Sequence, residues 1–156
     1  MKAYLCLGSN LGDSKALMLE AAEQISRLED SSVIRASSII ETEPYGKTDQ
    51  PVFLNQVLEL ETSLDPLTLL RMLLDIETRM GRIRTVKWGA RTIDIDILLM
   101  EDTIYMDDEL CLPHPDFHRR YFALELLMEL DPELLHPVFN KSISELYHEL
   151  RNGGIQ

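Results

Sequence analysis

Strict alternation of isoleucine and aspartate over residues 93–97 limits the possible folds more than any other feature of the chain. Side chains of a β-strand point alternately to its two faces, so the pattern predicts a strand over residues 92–100. One face carries Ile93, Ile95, Ile97 and Leu99, and the other carries Asp94 and Asp96. Two carboxylates about 7 Å apart on one rigid face repel each other unless a cation lies between them. Hard divalent ions such as Mg²⁺ prefer oxygen ligands, so the pair indicates a metal site. A half-exposed strand with an ordinary polar face remains the alternative, although aspartate is a poor strand former.

The rest of the chain interleaves strand and helix patterns. Residues 3–7, 33–40 and 54–60 have the composition of strands, and residues 104–112 that of a short hairpin. Asp13 and Asp65 are placed to cap two helices, the second of which ends at Gly81. Their buried stripes are predicted from helical spacing as Leu17, Ala21, Ile25 and Leu28, and as Leu67, Leu70 and Leu74. Two more helices are predicted around residues 120–130 and 143–150. Because several strands follow one another directly, we expect an α+β fold with a mostly antiparallel sheet, as one domain over residues 1–156.

The balance of charges excludes several classes of partner. The 156 residues include 15 Lys and Arg against 27 Asp and Glu, which gives a net charge of −12. The field of so acidic a protein repels nucleic acids and anionic membrane surfaces. No segment approaches the ~20 apolar residues that span a bilayer, so a soluble cytoplasmic protein is expected. Cys6 and Cys111 lie in apolar stretches and are too few for a disulfide framework, which predicts reduced core residues.

One short segment is strongly basic despite this acidic background. Residues 79–91 contain no acid and five of the 15 basic residues, namely Arg79, Arg82, Arg84, Lys87 and Arg91. Guanidinium groups bind phosphate oxygens through paired hydrogen bonds, so Arg82 and Arg84 are candidate phosphate ligands. The single tryptophan, Trp88, lies in the same segment beside Gly89. This combination favours a mobile cover over a phosphorylated ligand, and a solvated basic loop is the alternative.

Paired carboxylates beside clustered arginines are typical of phosphoryl transfer. The common nucleotide-binding patterns are absent, because Gly46-Lys47-Thr48 lacks the earlier P-loop glycine and the turn at residues 8–12 lacks the dinucleotide spacing. Phe53 and Asn55 share one strand face, where an aromatic ring and an amide can recognise a flat heterocycle.

The four histidines differ in context. His114 lies between two prolines, ahead of Arg119 and Arg120, where it is placed to contact phosphate. His118 follows without a zinc-binding pattern, so we expect no zinc there. His136 and His148 are expected to be surface or packing residues.

Several segments together resemble the 6-hydroxymethyl-7,8-dihydropterin pyrophosphokinase family of folate biosynthesis. The resemblance covers nearly the whole chain, and its most specific stretch is residues 88–98. The other matching segments are residues 7–12, 41–44, 50–55, 81–84 and 113–115. The resemblance implies a ferredoxin-like α+β domain that transfers pyrophosphate from ATP to the pterin hydroxymethyl group and releases AMP. It also implies a monomer acting on small molecules.

The resemblance also implies roles for individual residues. Asp94 and Asp96 correspond to the ligands of two Mg²⁺ ions, and Asp96 would also help to take the hydroxyl proton. Arg82 and Arg91 correspond to catalytic loop arginines that meet the phosphates. The ATP-binding positions are Glu77, Arg84, Ile97, His114 and Arg120. The pterin-binding positions are Thr42, Pro44, Tyr45, Phe53, Asn55, Trp88 and Phe122. The chain departs from some members of the family at Ala90, which replaces a frequent proline, and at Phe53, which replaces tyrosine.

Overall fold

The computed structural model describes residues 1–10, 13–42, 52–81 and 93–153. Five strands form the main sheet: β1 (Lys2–Ser9), β2 (Ser31–Ala36), β3 (Ile40–Thr42), β4 (Phe53–Thr62) and β5 (Asp94–Met100). A hairpin adds β6 (Tyr105–Met106) and β7 (Cys111–Leu112). The helices are α1 (Ser14–Ser26), α2 (Pro66–Arg79), α3 (Tyr121–Leu130) and α4 (Ile143–Asn152), with a 3-10 helix at Phe117–Arg119.

Every strand pairing in the described part of the chain is antiparallel, which confirms the predicted α+β class. The strand order is β2, β4, β1 and β5, and β3 pairs with β4 further along the same edge that β2 occupies. Helices cover both faces of the sheet. The helices α1 and α2 share a core with one face, and α3 and α4 share a second core with the other.

The segment predicted as one strand over residues 33–40 forms two strands instead. The break occurs at Ser37, whose backbone N–H donates to the carbonyl oxygen of Val57 while its hydroxyl accepts a hydrogen bond from the Val57 N–H, each at 2.9 Å. The Ser37 side chain thus replaces a backbone group of the ladder. β3 then resumes pairing with β4.

The predicted helix boundaries are confirmed, but the predicted buried stripes are only partly correct. Asp13 and Asp65 cap α1 and α2 through their side chains, and Gly81 follows α2 with a φ of 94°. Such a positive φ favours glycine, which has no Cβ. The buried residues of α1 are Met18, Ala21 and Ile25, and those of α2 are Leu69, Leu73, Ile76 and Glu77. In α2 the predicted stripe was only partly correct. Leu67 and Leu70 are partly buried and pack against the core, but Leu74 is 41% exposed, because leucines at two neighbouring sets of positions satisfy helical spacing equally well.

β5 contains an irregularity that moves one predicted core residue to the other face. Tyr4 pairs with Leu99 and Leu5 pairs with Ile97, so Leu98 is an additional residue opposite β1. Two residues of a bulged strand face one residue of its partner, which reverses the alternation from that point. Ile93, Ile95 and Ile97 therefore share the core with α1 and α2 as expected, whereas Leu99 lies in the core with α3 and α4.

No helix in the described residues is long and apolar enough to cross a membrane. Neither cysteine forms a disulfide; Cys6 is buried and Cys111 is half-buried. The expectation of reduced core cysteines is therefore confirmed for Cys6 and only partly for Cys111.

Candidate active site

A cavity of about 700 Å³ opens on the sheet face that also carries α3. This volume is within the usual range for a small-molecule site. The sheet contributes Cys6, Gly8, Thr42, Phe53, Asn55, Asp94 and Asp96, and the segment before and at the start of α3 contributes Asp116, Arg119, Arg120, Tyr121 and Phe122. The cavity thus brings together strands that are far apart in the sequence.

The strand register explains why these side chains meet. In one row across the sheet, Gly8 pairs with Asp94 on one side and with Asn55 on the other. In the next row on the same face, Cys6 pairs with Asp96. Residues two apart on a strand share a face, so both carboxylates and the amide project toward the same cavity.

The Asn55 side chain is held in place by its neighbours. The residue is 7% exposed, and its Nδ2 donates to Thr42 Oγ1 at 2.8 Å. A Cβ atom added to Gly8 would lie 3.0 Å from Asn55 Oδ1. Any other residue at position 8 would therefore require the amide to shift. Thr42 and Gly8 therefore orient the amide from two sides.

The carboxylate pair lies at the edge strand, with Asp94 half-buried and Asp96 exposed. Burial raises the pKa of the Cys6 thiol to about 12; Asp96 and Asp94 add to the rise and Arg120 opposes it. The thiol, which lies in the same row as Asp96, is therefore neutral and adds no negative charge to the cavity. Within the described residues no three His, Cys, Asp or Glu side chains form a metal-binding group. Two carboxylates fit a hard cation that takes its remaining ligands from water and substrate phosphates, as Mg²⁺ usually does.

The opposite wall of the cavity is cationic. Arg120 directly precedes α3 and is half-buried, and Arg119 is exposed beside it. Most described arginines form ion pairs with carboxylates, but none is found between the described acids and Arg119 or Arg120. Arg119 Nε donates to His118 Nε2 at 3.5 Å, and both arginines line the cavity, where their positive charge favours an anionic ligand.

His114 lies next to this wall without lining the cavity. Its backbone N–H donates to the Leu98 carbonyl oxygen at 2.7 Å, and its Nδ1 accepts from the Asp116 N–H at 3.0 Å. Burial and then the Arg120 charge lower the pKa of His114, while Asp96 and Asp116 oppose this shift. The neutral ring, with Nδ1 accepting, carries its proton on Nε2. The side chain lines a separate cavity of about 200 Å³.

Glu77 and Ile97, the other described residues predicted to bind ATP, also have side chains outside the main cavity. Glu77 belongs to α2, is 4% exposed, and accepts a hydrogen bond of 2.6 Å from the Ile95 N–H. The Ile97 side chain packs in the core with α1 and α2. Their predicted contacts with ATP stay predictions.

Six of the predicted site residues lie outside the described residues: Pro44, Tyr45, Arg82, Arg84, Trp88 and Arg91. Among the rest, the structure brings together Thr42, Phe53, Asn55, Asp94, Asp96, Arg120 and Phe122 around the cavity. Their assigned roles are not tested by this placement.

Sequence reasoning missed five residues that line the cavity: Cys6, Gly8, Asp116, Arg119 and Tyr121. The alternation of β1 could have indicated Cys6 and Gly8, since the two share one face. Tyr121 packs edge-on against Tyr147 of α4 at 5.3 Å between ring centroids, a contact that requires the tertiary structure.

The remaining histidines lie outside the cavity. His136 is 2% exposed and stacks on Phe117 and Phe139 at 5.3 and 4.3 Å, which confirms a packing role. His118 contacts Phe139 edge-on at 4.8 Å, and no metal-binding cluster includes it in the described part of the chain. His148 is exposed.

Comparison with known proteins assigns the family. The family model described as 7,8-dihydro-6-hydroxymethylpterin-pyrophosphokinase (HPPK) matches residues 4–132. The 2-amino-4-hydroxy-6-hydroxymethyldihydropteridine pyrophosphokinase of Methylorubrum extorquens is 38% identical over 155 residues, covering 99% of this chain and 97% of that protein. The enzyme of the same name from Bacillus subtilis is 41% identical over 128 residues, covering 82% of this chain and 77% of that protein.

Other matches are much longer than this chain. The folic acid synthesis protein fol1 of Schizosaccharomyces pombe is 40% identical over 154 residues, and the alignment covers 99% of this chain and 21% of fol1. The crystal structure of Plasmodium falciparum HPPK-DHPS wild type with pteroate superposes with a TM-score of 0.76 at 20% identity. That match covers 99% of this chain and 44% of the Plasmodium chain, and it confirms the expected ferredoxin-like α+β fold. The chain therefore belongs to the 7,8-dihydro-6-hydroxymethylpterin-pyrophosphokinase family of ATP-dependent diphosphotransferases.

Proposed function

We propose that this chain transfers pyrophosphate from ATP to the hydroxymethyl group of 6-hydroxymethyl-7,8-dihydropterin, as a step of folate biosynthesis. The observation that carries the proposal is the convergence of Asp94 and Asp96 with Asn55 and Phe53 in one cavity, in a chain of this family. The carboxylates suit a metal-bound triphosphate. The ring and the amide suit a flat, polar heterocycle.

The pterin half of the site is assigned to the β3–β4 side of the cavity. Asn55 hydrogen-bonds the edge of the heterocycle with the amide that Thr42 orients. Phe53 and Phe122 enclose the two faces of the heterocycle, as the family resemblance implies, and their presence in the same cavity supports this role. Pro44, Tyr45 and Trp88 complete this half as the family resemblance implies.

The ATP half is assigned to the side where Asp94, Asp96 and Arg120 meet. The two carboxylates would hold two Mg²⁺ ions, which would neutralise phosphate charge and lower the pKa of the attacking hydroxyl. Arg120, together with Arg82, Arg84 and Arg91, binds phosphate oxygens and balances the charge that develops during transfer. Glu77, Ile97 and His114 are assigned to nucleotide binding on the basis of the resemblance.

The proposed reaction forms one bond and breaks one bond. The pterin hydroxyl oxygen bonds to the β-phosphorus of ATP, and the bond between that phosphorus and the oxygen that stays on the α-phosphate breaks. AMP leaves, and the two terminal phosphates stay on the pterin. In this proposal Asp96 helps to take the hydroxyl proton, and the exposure of its carboxylate at the cavity supports that role.

The test incubates the protein with ATP, Mg²⁺ and 6-hydroxymethyl-7,8-dihydropterin and separates the nucleotides by chromatography. We expect AMP in equal amount to a diphosphorylated pterin, and loss of both products with EDTA. Formation of ADP instead would show that the protein is a kinase that transfers only the γ-phosphate. If a folded sample binds ATP and forms neither nucleotide, the chain is a binding protein and the proposal is wrong.

We also propose that residues 1–156 act as one monomeric domain in the cytoplasm, on small molecules and without nucleic acid. The net charge of −12 supports the last point, because it repels polyanions. Sedimentation at several protein concentrations tests the monomer, and a mass that doubles with concentration would contradict it.

A further inference from the structure

Two hydrogen bonds join the connection between β2 and β3 to the end of α3 that is remote from the cavity. The carboxylate of Glu129 accepts from the Ser38 N–H at 2.9 Å through one oxygen and from the Ser38 hydroxyl at 2.7 Å through the other. The two residues are exposed and lie 91 positions apart in the sequence. Hydrogen bonds to a charged acceptor are stronger than those between neutral groups. Ser38 and Glu129 thus form a clasp between the sheet and the helix.

The sheet side of the Ser38–Glu129 clasp lies just before β3. Ser37 pairs with β4 through its N–H and its hydroxyl, and its carbonyl oxygen accepts from Gln56 Nε2 at 2.9 Å. β3 begins two residues after Ser38, and among the described strands it pairs only with β4. Its last residue, Thr42, orients the Asn55 amide. The start of this short edge strand is therefore held by β4 through Ser37 and by α3 through Ser38.

The helix side of the clasp belongs to the same stripe of α3 as Phe122. Phe122 and Glu129 are seven residues apart, almost two helical turns, so they project from one side of the helix about 10 Å apart along its axis. Leu126 lies between them and is fully buried in the core beneath α3. Phe122 and Ile40 of β3 pack against that same core. One stripe of α3 therefore reaches from the cavity to the clasp.

The position of Glu129 is unfavourable for α3 taken alone. The residue lies in the last turn of a helix that ends at Leu130, where the helix dipole disfavours a negative charge. Alanine at this position would remove that charge and has a higher helix propensity. A loss of function caused by Glu129→Ala would therefore report the contact with Ser38 and not a weakened helix.

We propose that Glu129 is a positioning residue for pterin binding, which through Ser38 fixes β3 against α3 and thereby sets the gap between the Asn55 amide and the Phe122 ring. This inference rests on the proposed function, since it assumes that this part of the cavity binds the pterin. The sheet contributes Asn55 to the cavity, and α3 contributes Phe122. Without the clasp only a fraction of molecules holds the two groups at binding distance, and the apparent dissociation constant rises by the inverse of that fraction.

Glu129→Ala and Glu129→Gln form a matched pair for the test. Alanine removes both acceptors, whereas glutamine can accept from the Ser38 N–H and donate to the Ser38 hydroxyl oxygen. Ser38→Ala removes one of the two hydrogen bonds without changing α3. Glu125→Ala removes another exposed glutamate from the same helix and is the control for loss of surface charge. Calorimetry with Mg²⁺ measures the affinity for α,β-methylene-ATP, and then the affinity for 6-hydroxymethyl-7,8-dihydropterin in its presence. Thermal unfolding shows whether each variant is folded.

We expect Glu129→Ala to bind the pterin about three- to tenfold more weakly, the effect of one net hydrogen bond, and to keep its affinity for α,β-methylene-ATP. Ser38→Ala should lose less, and adding it to Glu129→Ala should cost little more. Glu129→Gln and Glu125→Ala should bind the pterin nearly as the wild type does. The proposal is overturned if Glu129→Ala keeps the pterin affinity, or if Glu125→Ala loses as much. It is also overturned if Glu129→Ala weakens the binding of both ligands alike, because general destabilisation would explain that result.

The outcomes separate this proposal from the proposed function. Weaker pterin binding by Glu129→Ala, beside a wild type that binds the pterin but transfers no pyrophosphate, would confirm positioning and refute only the proposed reaction. Unchanged pterin binding by Glu129→Ala, beside a wild type that forms AMP, would refute only positioning. A wild type that binds no pterin overturns both. If Glu129→Ala does not fold, Ser38→Ala decides: weaker pterin binding supports the positioning role, and unchanged binding overturns it.

Discussion

Gly8 and Asn55 lie opposite each other in the β1–β4 ladder, and a Cβ atom on Gly8 would lie 3.0 Å from Asn55 Oδ1. The amide is therefore confined between this glycine and Thr42, to which it donates at 2.8 Å. A confined amide has little freedom to lose when a ligand binds, so its hydrogen bonds contribute more to affinity.

We predict that Gly8→Ala weakens pterin binding because the new methyl group displaces the Asn55 amide. The expected loss is about three- to tenfold, the size of one net hydrogen bond. Calorimetry with 6-hydroxymethyl-7,8-dihydropterin measures it. In an Asn55→Ala background the same change should cost almost nothing further, and additive losses in the double mutant would show that Gly8 acts independently of Asn55.

We predict that Asp96→Asn abolishes most turnover and leaves the fold intact. The exposed carboxylate makes no contribution to either core, whereas loss of a metal ligand costs several kcal/mol in the transition state, or at least about a hundredfold in rate. The matched control is Asp108→Asn, an exposed acid in the β6–β7 turn. The two variants are compared by AMP formation and circular dichroism, and similar rates in both would exclude the metal role of Asp96.

We predict that Glu59 stabilises the protein through a buried network, with the effect lost in acid. Glu59 is fully buried and accepts from Tyr4 Oη at 2.6 Å and Arg35 Nε at 2.8 Å. Burial alone would raise the pKa of Glu59, but the hydrogen bonds from Arg35 and Tyr4 outweigh it and hold the pKa below its ordinary value of 4.5. A carboxyl with a lowered pKa stabilises the fold above pH 4.5, and this contribution disappears as the pH falls through the lowered value.

Tyr4→Phe and Glu59→Gln test this network by urea unfolding. Tyr4→Phe removes one hydrogen bond to a charged group and should cost roughly 1.5–3 kcal/mol at pH 7. Glu59→Gln should also be less stable at pH 7, and its stability should vary less with pH below 4.5 than that of the wild type. If Glu59→Gln and the wild type lose the same stability below pH 4.5, the titrating group is not Glu59.

We predict a second, separate loss of stability at mildly acidic pH, caused by His136. Burial, and then the nearby His118, lower the pKa of His136 to about 4. The unfolded chain, with an ordinary histidine value of 6.5, takes up the proton first. Stability is therefore complete above pH 6.5, falls toward pH 4 by up to about 1.4 kcal/mol per pH unit, and levels off below.

His136→Asn is the variant for this measurement, since the asparagine oxygen can accept from the Val138 and Phe139 N–H groups that His136 Nδ1 now binds at 3.2 Å. We expect lower stability at pH 7.5, because the stacking with Phe117 and Phe139 is lost, and a smaller fall between pH 6.5 and 4.5. His118 also has a pKa lowered by burial, so a part of the fall should persist. If stability falls with pH in His136→Asn as steeply as in the wild type, other groups cause the whole fall.

The elements and the family were predictable because their signals are local. Alternation from Ile93 to Ile97 placed both carboxylates on one face, and the capping residues Asp13 and Asp65 marked the beginnings of two helices. The long matching stretch around residues 88–98 indicated the family that the comparisons confirm. Each of these signals lies within a few residues of the feature it predicts.

The errors arose where the position of a residue depends on segments that are far away in the sequence. The face of Leu99 depends on an irregular pairing with β1, nearly a hundred residues earlier in the chain, and the alternation within β5 contains no sign of it. The buried stripe of α2 was ambiguous because its leucines satisfy helical spacing on two neighbouring faces. Only the docking of the helix on the sheet buries Leu69 and Leu73 completely, leaves Leu70 partly buried and leaves Leu74 exposed.

By itself, the sequence indicated candidate site residues: the carboxylate pair at 94 and 96, the amide at 55 and the arginine at 120. The tertiary structure alone decided how they meet, because register places Gly8 between Asp94 and Asn55 and packing brings Glu77 to the backbone of Ile95. Local patterns depend on the rise and turn of one element, which the neighbouring residues dictate. Register and helix docking depend on the burial of apolar surface summed over the whole chain, which no short segment records.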